Sequence, residues 1–154
     1  MKKLNMLLVI ISCALLAGCA TAPLTSPALD ADAKTFTPLP GKANVYVYRD
    51  GRYTGSGVTY QAALDGRITG ILAPSTFQLL SVDPGRHALT AVGEQTKNES
   101  LKFDAEVGKN YFFNFYADIW TMSLFQAKLL FKAESDDEGR KAILKSKRVD
   151  NDTY

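Results

Sequence analysis

Residues 101–116 read Leu101-Lys102-Phe103-Asp104-Ala105-Glu106-Val107, then Gly108-Lys109-Asn110, then Tyr111-Phe112-Phe113-Asn114-Phe115-Tyr116. Successive side chains of a strand point to opposite faces of its sheet. In the first seven residues Leu101, Phe103, Ala105 and Val107 therefore share a dry face, and Lys102, Asp104 and Glu106 a wet one. Gly108-Lys109-Asn110 turns the chain. The last six residues lose the contrast: Tyr111, Phe113 and Phe115 face one way, Phe112, Asn114 and Tyr116 the other, and both sets are largely apolar. Such a strand is central in its sheet or covered on both sides.

Working outward, the same period of two recurs. Val45-Tyr46-Val47-Tyr48 alternates β-branched with aromatic residues, a pairing suited to strands. Asp50 to Gly57 is a glycine-rich loop. Val58 to Leu64 and Arg67 to Leu72 flank Asp65-Gly66, a strong hairpin signal because both turn positions favour positive φ. Ala73-Pro74-Ser75 ends that pair. Phe77 to Val82 is the next strand, Asp83-Pro84-Gly85 reads as a type II turn, and Arg86 to Val92 is expected to pair back across it. Residues 93–98 are a polar loop. After Ile119-Trp120, Ser123 to Lys132 gives a strand with Phe125, Ala127, Leu129 and Phe131 on its dry face. Ser135 with Glu138 fits a capping box that opens a terminal helix. Asp136, Asp137 and Glu138 at its start and Lys145, Lys147 and Arg148 at its end complement the helix dipole. Gly139 costs that helix about 1 kcal/mol relative to alanine.

Eight short strands with turn residues between them and one late helix predict a mainly β domain over residues 43–149, an antiparallel β-sandwich with a C-terminal α-helix. Residues 150–154 read as a frayed tail.

The N-terminal part has another grammar. Lys2-Lys3 precedes a short apolar run that ends in Leu16-Ala17-Gly18-Cys19. Residues 4–17 are too few to span a bilayer, which takes about 20, and a charged start with a small-residue cut site marks a secretory signal. Residues 20–42 hold Pro23, Pro27, Pro38 and Pro40 among small polar residues. That composition predicts a disordered tether over residues 19–42.

Leu16-Ala17-Gly18-Cys19 resembles the lipobox of bacterial lipoproteins. The resemblance implies cleavage between Gly18 and Cys19, lipidation of Cys19 and removal of residues 1–18; Ala20, being non-acidic, implies the outer membrane, with the domain facing the periplasm. Leu64-Asp65-Gly66-Arg67, Pro74-Ser75-Thr76-Phe77 and Val82-Asp83-Pro84-Gly85-Arg86-His87-Ala88-Leu89 are similar to PEGA-type modules, which implies a prealbumin-like sandwich. Placed behind a lipobox, and with Gly108-Lys109-Asn110-Tyr111-Phe112 later in the chain, residues 43–132 resemble a family of bacterial lipoproteins without assigned function.

The chain of 154 residues holds 18 basic and 16 acidic side chains; without Lys2 and Lys3 the basic count falls to 16 and the balance is neutral. A nucleic-acid binder needs a basic face, so that class is set aside. Cys13 leaves with the signal and Cys19 is acylated, so the domain has neither disulfide nor thiolate chemistry. His87 is the single histidine. It lies just beyond a turn, no nucleophile-elbow motif occurs in the sequence, and a zinc site would need four nitrogen or sulfur ligands. No metal ligand set, cofactor or catalytic residue is therefore expected. Gly51, Gly55 and Gly57 lack the lysine-serine ending of a phosphate loop. Asp65 with Glu106 is the carboxylate pair a hydrolase would use.

Three readings follow. The first is a lipid-anchored, non-enzymatic binding or adaptor module for an envelope protein or wall polymer, with Tyr46, Tyr48, Phe112, Tyr116 and Trp120 as its partner surface unless they are core. The second is a carrier of an apolar small molecule or lipid, prompted by the two dry faces of 111–116. The third is a weak hydrolase using His87, Asp65 and Glu106. The basic group Arg140, Lys141, Lys145, Lys147 and Arg148 is either a solvated helix end or a contact for anionic headgroups.

Overall fold

The computed structural model describes residues 22–51, 57–92, 99–118 and 128–151. The signal segment, Gly18, Cys19, Arg52, Tyr53, Gly55, Trp120 and the stretch 123–127 of the eighth expected strand lie outside these residues.

In chain order the elements are α1 (Pro27–Ala33), β1 (Ala43–Arg49), β2 (Tyr60–Leu64), β3 (Arg67–Leu72), β4 (Thr76–Val82), β5 (Gly85–Val92), β6 (Ser100–Ala105), β7 (Asn110–Asp118), β8 (Lys128–Glu134), α2 (Asp136–Lys145) and β9 (Lys147–Arg148). They form two sheets, one of order β8-β7-β1-β4-β9 and one of order β3-β2-β5-β6. The fold is a β-sandwich with helices added to one face. Most pairings are antiparallel, as expected, but β1 runs parallel to β7 and β4 parallel to β9.

The strand contrast in 101–116 has a direct structural meaning. β6 is an edge strand of the four-stranded sheet, with Lys102 and Asp104 exposed and Leu101 and Phe103 turned inward. β7 lies between β8 and β1. Its Phe113 and Phe115 join Val45, Val47, Leu64, Leu80 and Leu89 in the core between the sheets. Its Phe112 faces the other way and joins Tyr46, Tyr48, Phe77, Ile143 and Ala33 in a second core, under the helices. β1 carries the same logic: its valines serve one core and its tyrosines the other, and all seven of its residues are buried. Alternation in size, with no alternation in polarity, is what a strand dry on both faces requires.

The Asp65-Gly66 hairpin forms as read. Leu64 faces Arg67 across a two-residue turn, with φ of 51° at Asp65 and 82° at Gly66. The second turn differs. β4 pairs with β1 and β9, whereas β5 pairs with β2 and β6. Asp83-Pro84-Gly85 therefore carries the chain from one sheet to the other, and Arg86 to Val92 does not pair back on Phe77 to Val82. Turn residues permit a reversal, but long-range packing selects the sheet that the next strand joins.

The expected tether is the main departure. From residue 22 the chain is folded onto the domain. Ser26 caps α1, its Oγ accepting from the Leu29 N–H at 3.4 Å, and Pro27 sits in the first turn, where its missing N–H costs nothing. Lys34 donates to Asp30 at 2.7 Å and to the Ser146 carbonyl at 2.8 Å. Asp30 accepts from the Arg148 N–H at 2.7 Å. Leu24 forms an antiparallel bridge with Val149. These contacts offset the ordering entropy that composition alone leaves uncompensated. At the other end α2 stops at Lys145, and Lys147 and Arg148 form β9.

Candidate functional site

The expected partner surface is mostly interior. Tyr46, Tyr48 and Phe112 are 0, 3 and 2% exposed, and Tyr46 stacks on Phe112 with ring centroids 5.0 Å apart. α2 and α1 lie over them because Gly139 lets the helix backbone close onto Phe112. Tyr46 and Phe112 offer a partner no surface, and Tyr48 only borders the polar groove beside α2. Tyr116 is partly exposed on β7, and Trp120 lies outside the described residues. The two dry faces of 111–116 are likewise filled by the protein's own side chains.

His87 and Asp65 do meet. The His87 Nδ1–H donates to Asp65 Oδ2 at 2.7 Å and its Nε2–H to the Asp83 carbonyl at 2.8 Å. Both partners are acceptors, so the ring satisfies both only as the imidazolium. Burial works against that charge, but the hydrogen bonds to Asp65 and Asp83 and the charge of Asp65 carry the His87 pKa above 6.5. Burial would raise Asp65, yet the bonds from His87 and from the Ala88 N–H hold it below 3.8. An imidazole with both nitrogens donating has no lone pair for base catalysis or for a metal. No hydrogen bond or ion pair joins Glu106 to Asp65 among the described residues. The pair is a structural clip between the β2–β3 turn and the start of β5.

The clip predicts a pH dependence. The His87 contribution is complete below pH 6.5 and is lost as pH rises through its raised value. The Asp65 contribution is present above pH 3.8 and is lost as pH falls through its lowered value. The stability difference between the parent and His87→Gln should thus be greatest between these limits and shrink in alkaline buffer. Asp65 is half-exposed, and solvent screening keeps the difference to about 0.5 kcal/mol. Urea unfolding at pH 6 and pH 9 measures it, and a difference that ignores pH would show that the ring does not titrate against Asp65.

The feature best suited to binding was not singled out in the sequence. A polar groove of about 490 Å³ lies between α2 and the end of the five-stranded sheet, lined by Tyr48, Asp50, Asn114, Lys132, Glu134, Glu138, Lys141 and Lys145. β1 and β7 supply its floor, β8 and α2 its charged walls. Lys132 pairs with Glu134 and Lys141 with Glu138, each at 2.9 Å. The hydrogen bond and charge of Lys141 hold Glu138 below the ordinary carboxylate range. Asn114 is 6% exposed; it donates to Asp50 at 3.4 Å, and its Oδ1 has no partner among the described residues. The arrangement offers paired charges and an amide, the chemistry of recognition. These residues come from three separate stretches of the chain (the end of β1, β7, and β8 with the adjoining α2), so no local motif marks them.

A family model described as a protein of unknown function, DUF2846, matches residues 40–124. The chain belongs to the DUF2846 family. No curated protein and no solved structure matches it. The DUF2846 match runs from just before β1 past the end of β7 and holds the whole four-stranded sheet. The elements that roof the second core and wall the groove (α1, β8, α2 and β9) lie outside it. No group of three or more histidine, cysteine or acidic side chains suited to a metal occurs among the described residues, and no helix there is long and apolar enough to cross a membrane.

Proposed function

We propose that this DUF2846 protein is a lipid-anchored lipoprotein of the bacterial cell envelope, held at the outer membrane on its periplasmic side through Cys19. It acts as a non-enzymatic binding module, and its charged groove takes the polar groups of an envelope protein or wall polymer. The observation that carries the reading is Leu16-Ala17-Gly18-Cys19 standing directly before a folded domain. The groove supports the binding role because its lysines and carboxylates are arranged in pairs at an open surface. The engagement of both His87 ring nitrogens, by the Asp65 carboxylate and the Asp83 carbonyl, weighs against a hydrolase.

Mass spectrometry of the native N-terminus tests the anchor. The expected product begins at a Cys19 that carries a thioether-linked glyceride; an unmodified peptide running through Cys19 with the leader attached would sink the reading. For the groove, photocrosslinkers at Lys132 and Lys141 of the acylated protein, in cells and on purified wall sacculi, should give one discrete adduct. The same products from a control position such as Lys102 would remove it.

A further inference from the structure

We infer that the end of the domain formed by Ala22, Leu24, Pro74, Ser75, Lys145 and Lys147 is a bilayer-contact face, seated on anionic phospholipid headgroups. The inference rests on the anchored reading above and adds the orientation of the domain.

Chain length is the first argument. Ala22 packs against the core between the sheets. The Asp150 N–H donates to the Pro23 carbonyl at 2.8 Å, and the Thr25 N–H to the Arg148 carbonyl at 3.1 Å. The chain is thus fixed from residue 22 onward. Two residues, hence three Cα–Cα steps, separate Cys19 from Ala22, a reach of at most about 11 Å when fully extended. A glyceride on Cys19 then leaves no slack for a domain that floats free of the membrane, and the end that carries Ala22 must lie at the surface.

The chemistry of that end is the second argument. Ala22, Leu24, Ala73, Pro74, Ser75 and Thr76 line an open cleft of about 330 Å³ rimmed by Lys145 and Lys147. Leu24 is 51% exposed. Lys145, at the end of α2, and Lys147, in β9, are exposed and have no ion-pair partner among the described residues, whereas Arg140 and Lys141 of α2 are paired with Asp136 and Glu138. Asp150, exposed beside Pro23, opposes them in part. Apolar side chains below unpaired lysines match the headgroup layer, where phosphates accept from ammonium groups and the glycerol region is less polar. Each lysine near an anionic surface is worth about fivefold in affinity. Two lysines hold the face only weakly by themselves, but the anchor keeps them at high effective concentration.

The test uses the acylated protein in vesicles of phosphatidylethanolamine with phosphatidylglycerol. Ser75→Cys and Lys109→Cys place a fluorophore at opposite ends of the five-stranded sheet, about 20 Å apart along β4. Headgroup-spin-labelled lipid should quench position 75 much more than position 109. Equal quenching on protein confirmed as acylated overturns the face and leaves the anchor standing. Protection of position 75 that ignores lipid charge points to a protein partner and overturns it too. Lipid-free full-length chain gives a separate readout. Lys145→Ala with Lys147→Ala should weaken its partition onto the same vesicles about 25-fold and have no effect on phosphatidylcholine. No loss would overturn the face even if the native N-terminus proves unacylated.

Discussion

Gly139→Ala should destabilise the domain by about 2 kcal/mol, although alanine is the better helix former by about 1 kcal/mol. A Cβ at this position would overlap Cβ, Cγ and Cδ1 of Phe112. That is the rigid base of a buried aromatic, with no flexible end that can swing away. Phe112 is itself fixed by stacking on Tyr46 and by Phe36 at 6.1 Å. The helix must therefore lift off β7, loosening Ile143 and the cover over the tyrosines. Urea unfolding of Gly139→Ala, Phe112→Ala and the double variant measures the coupling. The double variant should recover most of the alanine penalty. A cost for Gly139→Ala that persists undiminished in the Phe112→Ala background would mean that backbone conformation, and not the close approach, selects glycine.

Tyr46→Ala should be the most damaging single change, at about 4 kcal/mol, a large part of the 5–15 kcal/mol typical of a domain. Tyr46 is fully buried, with Phe36, Phe77 and Phe112 around its ring at centroid distances of 5.5, 6.1 and 5.0 Å. Its hydroxyl donates to the Ala33 carbonyl at 2.7 Å, and burial pushes its pKa up to about 12. Tyr46→Phe keeps the ring and loses that bond, a loss of about 1 kcal/mol. It should also release the end of α1, read as faster limited proteolysis within residues 27–36. If Tyr46→Phe cost as much as Tyr46→Ala, the hydroxyl and not the ring would dominate.

These two positions show what the sequence discloses and what it hides. Strand positions were legible because a period of two survives in Leu101 to Val107, and Asp65-Gly66 dictates its own hairpin. The capping serine was legible too: Ser135 Oγ accepts from the Glu138 N–H at 3.3 Å. Sheet membership was not, because Asp83-Pro84-Gly85 describes a bend and not the partners of the strands beside it. Gly139 read locally as a weak helix residue, and only tertiary contact reveals the ring it accommodates. α1 was hidden because four prolines suggested disorder, yet Ser26-Pro27 is a sound helix start. The groove was invisible for a similar reason. Its Asn114 and Lys132 sit opposite each other on β7 and β8, and nothing local links them. Arg49 is a further case: it is 4% exposed, donates to the Val58 and Leu72 carbonyls at 2.7 and 3.2 Å, and lies 4.0 Å over the Tyr60 ring. A charged residue at a strand end gives no hint that it ties one sheet to the other.

The bridge between Leu24 and Val149 joins residues near the two ends of the chain, and the first strand finds one neighbour only when β7 has been made. Pairings so distant in sequence form late and slowly. Residues 147–150 pair with β4 on one side and with residues 23–25 on the other. The segment that extends the five-stranded sheet is thus also the one that locks residues 23–25 onto the domain.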